Sequence, residues 1–159
     1  MNEHFLRLFD YDQMASRLIL TALRDQPPAG EPDRKLTLMM HLLQANHNWL
    51  LRVNGRSSDQ SDLWPKPEWG AMESLLETNG DGWKTFLTAE TDFFRPITYQ
   101  NQSGATYTNV LADLLAHIIN HGTHHRAQIG IYLKESGLEH IPITDYIAYL
   151  RLKGPSGGA

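Results

Sequence analysis

Apolar residues recur at intervals of three and four through four long stretches of the chain, and this spacing predicts four helices. In the first, Asn2 to Asp25, Phe5, Leu8, Phe9, Met14, Leu18 and Leu23 keep the interval with no Pro or Gly among them. The breaker cluster Gln26-Pro27-Pro28-Ala29-Gly30-Glu31-Pro32 closes it, and Asp33 is placed to cap a second helix over about Arg34 to Val53. Asn54-Gly55 tolerates the left-handed end of that helix. Arg56 to Pro67 then reads as a polar loop, with Pro65 and Pro67 near its close.

From Glu68 to about Phe94 the helical interval returns through Trp69, Met72, Leu75, Leu76, Trp83, Phe86 and Leu87. Asn79-Gly80-Asp81-Gly82 interrupts it. Two glycines cost ~2 kcal/mol against alanine in a helix interior, so a break is expected there, or a third helix that starts only near Gly82. Pro96 to Thr108 alternates β-branched or aromatic with polar residues around Gln102-Ser103-Gly104, the pattern of a short β-hairpin that must lean on the helices. The last long helix is expected from Thr108, as N-cap, to Ser136, with Gly137 at its C-terminal cap. Ile141-Pro142-Ile143 reads as extended, Thr144 to Leu152 as a short helix, and Gly154 to Ala159 as a flexible tail. Each apolar stripe can be buried only against its neighbours. The expected fold is therefore all-α, a four-helix bundle with a small β-hairpin before the histidine-rich helix and a short C-terminal helix. It is read as one domain over residues 1–153.

Charge and composition narrow the function more than the fold. A net charge of −4 with no block of Lys or Arg argues against a nucleic-acid partner. Cysteine is absent, which excludes disulfides, thiolate metal ligation and a cysteine nucleophile. The N-terminus lacks a signal-peptide pattern and no apolar run approaches ~18 residues, so a cytoplasmic protein with no membrane partner is expected.

The chemistry is concentrated late in the chain, where His117, His121, His124 and His125 make up half of the eight histidines. At ~100° per residue, with His117 at zero, His121 lies at about 40°, His125 at about 80°, Gln128 at about 20° and His124 at about 340°. Val110 and Leu114 share the arc, so the imidazoles are expected to face the interior and to need partners there. His121 and His125, four residues apart, stack one turn above each other and can close on one ion from the same side. A divalent metal would take up the lone pairs that several buried imidazoles otherwise leave unsatisfied. A third ligand must come from elsewhere, the candidates being His41, His47, His4 and His140; the apolar spacing of the second helix points to His47.

His41-Leu42-Leu43-Gln44-Ala45-Asn46-His47-Asn48-Trp49, followed some seventy residues on by Asn120-His121-Gly122-Thr123-His124-His125-Arg126-Ala127-Gln128, resembles the DinB family of metal-dependent proteins. That family carries a histidine in its second helix, commonly with a tryptophan eight residues later, and Asn-His-x-x-His-His-Arg-x-Gln in a later one. The resemblance implies a four-helix bundle that commonly forms a homodimer, and a divalent zinc or nickel ion held by His41, His121 and His125. It places His117 and His124 beside the ligands or in the pocket. Where the family often has an acidic residue five positions after its first histidine, this chain has Asn46. Arg126, at about 180° from His117, reads as a helix–helix or dimer salt bridge. Gln128 could bond a ligand imidazole, and Gly122 either admits another helix or leaves space over the metal.

Three neutral imidazoles leave a divalent ion its full charge and an open position, as in catalytic sites, and such an ion lowers the pKa of a water or thiol. The His-x-x-x-His spacing is similar to that of zinc metallopeptidases, but Gly122 stands where they carry glutamate, which argues against a peptidase. The wider DinB-like superfamily includes transferases that use low-molecular-weight thiols. The resemblance thus implies an enzyme that transfers such a thiol, as cosubstrate, to a small-molecule electrophile. Two other readings stand beside it. One is a hydrolase acting through a metal-activated water, with His124 or His117 as proton shuttle. The other is a non-catalytic metal-binding stress-response protein, to which the missing carboxylate at Asn46 is relevant.

Overall fold

The computed structural model describes residues 1–26, 33–58 and 61–154. The expected breakers Pro27 to Pro32 and the tail beyond Gly154 lie outside the described residues. The elements are α1 (Asn2–Arg24), α2 (Arg34–Val53), α3 (Trp69–Ala89), β1 (Pro96–Gln100), β2 (Thr106–Val110), α4 (Leu111–Glu135) and α5 (Tyr146–Lys153). Helices α1, α3, α2 and α4 form a closed ring in that order, each packed on the next and α4 on α1. No helix among the described residues is long and apolar enough to cross a membrane.

Helix α2 begins and ends as its local signals require. The Asp33 side chain accepts a hydrogen bond from the Lys35 backbone N–H, and Gly55 takes the positive φ of +69° that releases the chain after Asn54.

Helix α3 corrects the expected break, because it runs unbroken through Asn79-Gly80-Asp81-Gly82. A Cβ on Gly80 would sit 2.7 Å from Gln13 Nε2 of α1, and one on Gly82 would collide with the Leu50 side chain of α2. At each glycine a side chain of a neighbouring helix fills the space a Cβ would take, and this packing outweighs the propensity cost.

The hairpin forms as expected, with Pro96 opposite Val110 and Gln100 opposite Thr106. Gly104 turns at φ +80°, and Asn101 Oδ1 accepts from the N–H groups of Ser103 and Ala105. Thr108, expected as the cap of α4, is instead a strand residue opposite Thr98. The first N–H groups of α4 do not use a side-chain cap: Leu111 and Ala112 donate to the carbonyls of Arg95 and Phe93. Helix α5 docks on α1 through Tyr149, whose hydroxyl donates to Asp10 Oδ2 at 2.6 Å.

The core is divided along the bundle axis. One apolar cluster gathers Phe5, Phe9, Leu50, Trp83, Leu87 and Leu115, and the other gathers Ile19, Met39, Leu43, Met72, Leu76 and Ile129. Between them each long helix contributes polar residues at one level: Asp12 and Ser16 from α1, Asn46 and Asn48 from α2, Asn79 from α3, and His125 and Arg126 from α4. Buried polar groups are tolerable when paired, and among the described residues all of these side chains have partners, with Arg126 Nε alone left over. Arg126 bonds Asp12 and Ser16, Asn79 Nδ2 donates to the Leu43 carbonyl, and Asn48 Oδ1 accepts from Gln44.

Candidate metal centre

The packed face of α4 is carried by Leu111, Leu115, Ile118, Gly122, Ile129 and Leu133. At ~100° per residue these centre roughly 130° from His117, so the histidine arc lies along the edge of the stripe instead of on its middle. That corrects the expectation of a wholly buried cluster. His125 is buried at 9% exposure and His121 is half-buried, while His117 and His124 are exposed.

His121 and His125 meet His41 across the α2–α4 contact, and one ligand atom from each of the three lies within 4.8 Å of the others. The His125 and His121 Nε2 atoms are 3.1 Å apart. Two nitrogens that close need either a shared proton or a shared cation, and ligands on a tetrahedral ion with ~2.0–2.1 Å bonds stand roughly 3.3 Å apart. The opposite nitrogens are engaged. His41 Nδ1 is 2.8 Å from the Leu63 carbonyl oxygen, and His125 Nδ1 is 2.8 Å from Gln128 Oε1. Both oxygens can only accept, so each Nδ1 carries the proton and each Nε2 keeps its lone pair. The residues therefore fit a divalent ion and could hold one.

Electrostatics favour the same state. Burial, aided by the neighbouring rings of His125, His41, His117 and His124, pushes the pKa of His121 down to about 3. Burial also lowers His41 and His125, against the opposing effect of the hydrogen bonds that they donate to the Leu63 carbonyl and to Gln128 Oε1. His117 leans on Trp49, and burial of that side lowers it too. All four rings are held neutral near pH 7, the protonation state that metal ligation needs.

The other histidines fall away from this cluster. His47, to which the apolar spacing points, faces α3, with Nδ1 at 3.0 Å from Asn79 Oδ1. Helix α2 is buried against both α3 and α4, so its apolar centre does not tell which face meets the histidine helix. His4 and His140 are exposed. Asn46 lies off the cluster as well: its Oδ1 accepts from Trp83 Nε1 at 2.5 Å and its Nδ2 approaches Asp12 Oδ2 at 3.5 Å.

Arg126 makes the helix–helix salt bridge. Its Nη1 stands 2.5 Å from Asp12 Oδ1, and although burial disfavours the charge, the Asp12 carboxylate raises the guanidinium above the ordinary arginine value. Gly122 admits that neighbour: a Cβ there would lie 2.5 Å from Asp12 Oδ1.

Sequence reasoning missed the loop between α2 and α3. Beyond the Leu63 carbonyl, the Trp64 ring stacks on His41 at 3.7 Å between centroids and 7° between planes, although it is 52% exposed. A tryptophan alone in a polar, proline-flanked loop was the available signal.

A four-helix ring that clasps three histidines from two helices defines a helical-bundle protein with a candidate metal centre. The family model described as DinB family matches residues 1–157. The chain belongs to the DinB family. It is similar to Protein DinB of Bacillus subtilis (strain 168), with 26% identity over 165 residues that cover 94% of this chain and 95% of that protein.

Proposed function

We propose that this chain is a metal-dependent enzyme that transfers a low-molecular-weight thiol to a small electrophile. The donor set carries the reading. Three imidazoles form the cluster with no carboxylate among the described residues in it, and the Nδ1 partners of His41 and His125 are neutral oxygens. A zinc or nickel ion bound there would keep its full double charge and supply Lewis acidity, lowering the pKa of a thiol brought to it.

The chain's own residues do the rest. His124 lies 5.1 Å from His125 and His117 lies 5.8 Å from His121, ring to ring, and both are exposed. Either can take the thiol proton as the sulfur forms its bond to the electrophilic carbon and the leaving group departs with the bonding pair. Trp64 covers the His41 side of the centre and limits water there. The chain has no cysteine, so the sulfur arrives with the cosubstrate.

The test is metal analysis of the purified protein, followed by an assay of 1-chloro-2,4-dinitrobenzene with and without N-acetylcysteine. The expected result is one metal per cluster and conjugate formation that needs both the thiol and the metal. Ester hydrolysis that is metal-dependent and thiol-independent would replace this reading with a hydrolase. Tight stoichiometric metal with no turnover of either kind would leave a metal-binding protein without catalysis.

A further inference from the structure

A cavity of ≈ 590 Å³ opens between α1 and α3, on the side of the helix ring opposite the α2–α4 contact that carries the histidines. Its volume lies in the range of small-molecule sites. Phe9, Trp83 and Leu87 give it an apolar wall, with the Phe9 and Trp83 ring centroids 4.5 Å apart. It reaches inward as far as Asp12 and Asn46, in the polar layer between the two apolar clusters. None of its lining residues belongs to the histidine cluster.

Asp12 and Asn46 keep unused bonding capacity there. Asp12 is 4% exposed and its Oδ1 takes the Arg126 guanidinium. Among the described residues its Oδ2 has only Asn46 Nδ2, at 3.5 Å, the long limit of a hydrogen bond. Asn46 Oδ1 is filled by Trp83 Nε1, so the amide nitrogen, with two N–H groups, is the under-used end of that side chain. An acceptor short of a donor, beside a donor short of an acceptor, suits one group that offers an N–H and a C=O side by side.

Charge argues for a neutral ligand. At the mouth Arg7, Arg17 and Lys84 are matched by Asp10, Glu77 and Asp81, and Arg17 pairs with Glu77 at 2.7 Å. On the floor Asp12 is already offset by Arg126. An ion that entered would give up water without meeting an uncompensated counter-charge. We propose that this cavity is a ligand site separate from the metal centre, for a small neutral molecule whose amide group bridges Asp12 Oδ2 and Asn46 Nδ2 while an apolar ring lies along Phe9 and Trp83. It does not depend on the thiol-transfer reading.

The test follows the Trp83 Nε1–H NMR signal, one of four indole signals and identified by its absence in Trp83→Phe, while benzamide, acetophenone or benzoate is added. Acetophenone has a methyl group where benzamide has its nitrogen, and benzoate has no donor and a negative charge. The expected result is a saturable shift with benzamide, the same in zinc-loaded and metal-free protein. Acetophenone should bind at least ~10-fold more weakly, as loss of a hydrogen bond to a charged acceptor implies, and benzoate more weakly still. Leu6→Trp, which enlarges a side chain of the cavity wall and leaves Asp12 and Asn46 in place, should abolish the shift.

Equal binding of benzamide and acetophenone overturns the site, because the floor then contributes nothing. Tighter binding of benzoate does so too, by making the cavity an anion site, as does the absence of any saturable shift with benzamide, which leaves the cavity to water. A benzamide shift that survives Leu6→Trp, or that is lost when zinc is removed, puts the ligand elsewhere and also overturns it. Should Leu6→Trp fail to fold, the three ligands compared in the unaltered protein still decide.

Discussion

Gly122→Ala separates local propensity from tertiary packing by the sign of its effect. In a helix interior alanine is favoured over glycine by ~1 kcal/mol, so α4 taken alone should be stabilised. In the bundle the new Cβ would lie 2.5 Å from Asp12 Oδ1 and 2.9 Å from Arg126 Nη1. The carboxylate has little room to retreat, because Asp12 is 4% exposed and Arg126 is 2% exposed, with its Nε without a partner among the described residues. Breaking a buried pair and leaving one charge uncompensated costs ~3–5 kcal/mol, so the net expectation is a loss of about 2–4 kcal/mol. Urea unfolding followed by circular dichroism reads this as a midpoint lower by roughly 1 M or more, at the usual slope for a small domain. In the Asp12→Ala/Arg126→Met background, where both charges are gone, the same substitution should be neutral or stabilising by up to ~1 kcal/mol. A midpoint that rises in the otherwise unaltered protein refutes the close approach of Asp12 to α4.

The remaining expectations concern the centre and its surroundings. His41→Ala, His121→Ala and His125→Ala should each abolish stoichiometric metal by elemental analysis, whereas His47→Ala should keep it; metal lost only in the last would exchange the third ligand. In metal-free protein the His121 pKa is depressed from its ordinary 6.5 to about 3, so below pH 6.5 the unfolded chain binds the extra proton. Stability should therefore decline as pH falls from about 6.5 towards 3, by at most ~1.4 kcal/mol per pH unit for this group, and a flat unfolding midpoint across that window would count against a buried neutral ring. Asn46→Asp supplies the acidic residue common in the family, yet sets it against Asp12. It should lower the melting temperature at pH 7 while leaving metal content unchanged, and reduced metal content would place Asn46 nearer the centre than its contacts do.

How much could be read from the chain depended on whether the deciding contact was local. Both ends of α2 follow from Asp33 and Asn54-Gly55, whose caps need nothing but adjacent backbone. His121 and His125 likewise follow from their i, i+4 spacing. Gly80 and Gly82 misled because Gln13 and Leu50, remote in sequence, are what they accommodate. Thr108 misled because carbonyls of Phe93 and Arg95 do the work of a cap. Which histidine of α2 lies beside His121 and His125 depended on which side of α2 meets α4, a fact of assembly that apolar spacing could not carry; the structure brings His41 there, the residue that the family resemblance names.

The Leu63 carbonyl that fixes the His41 tautomer belongs to the main chain, so no side-chain replacement can delete it. Position 63 is therefore free to vary in composition while the path of the loop is not. Insertions or deletions between α2 and α3 would move that oxygen, and with it the ring's lone pair. Pro65 and Pro67 reduce the freedom of the segment just beyond it. Orientation of the His41 ring is thus governed by loop length more than by residue identity, so a change of spelling that keeps the count of residues there should leave the ring as it is.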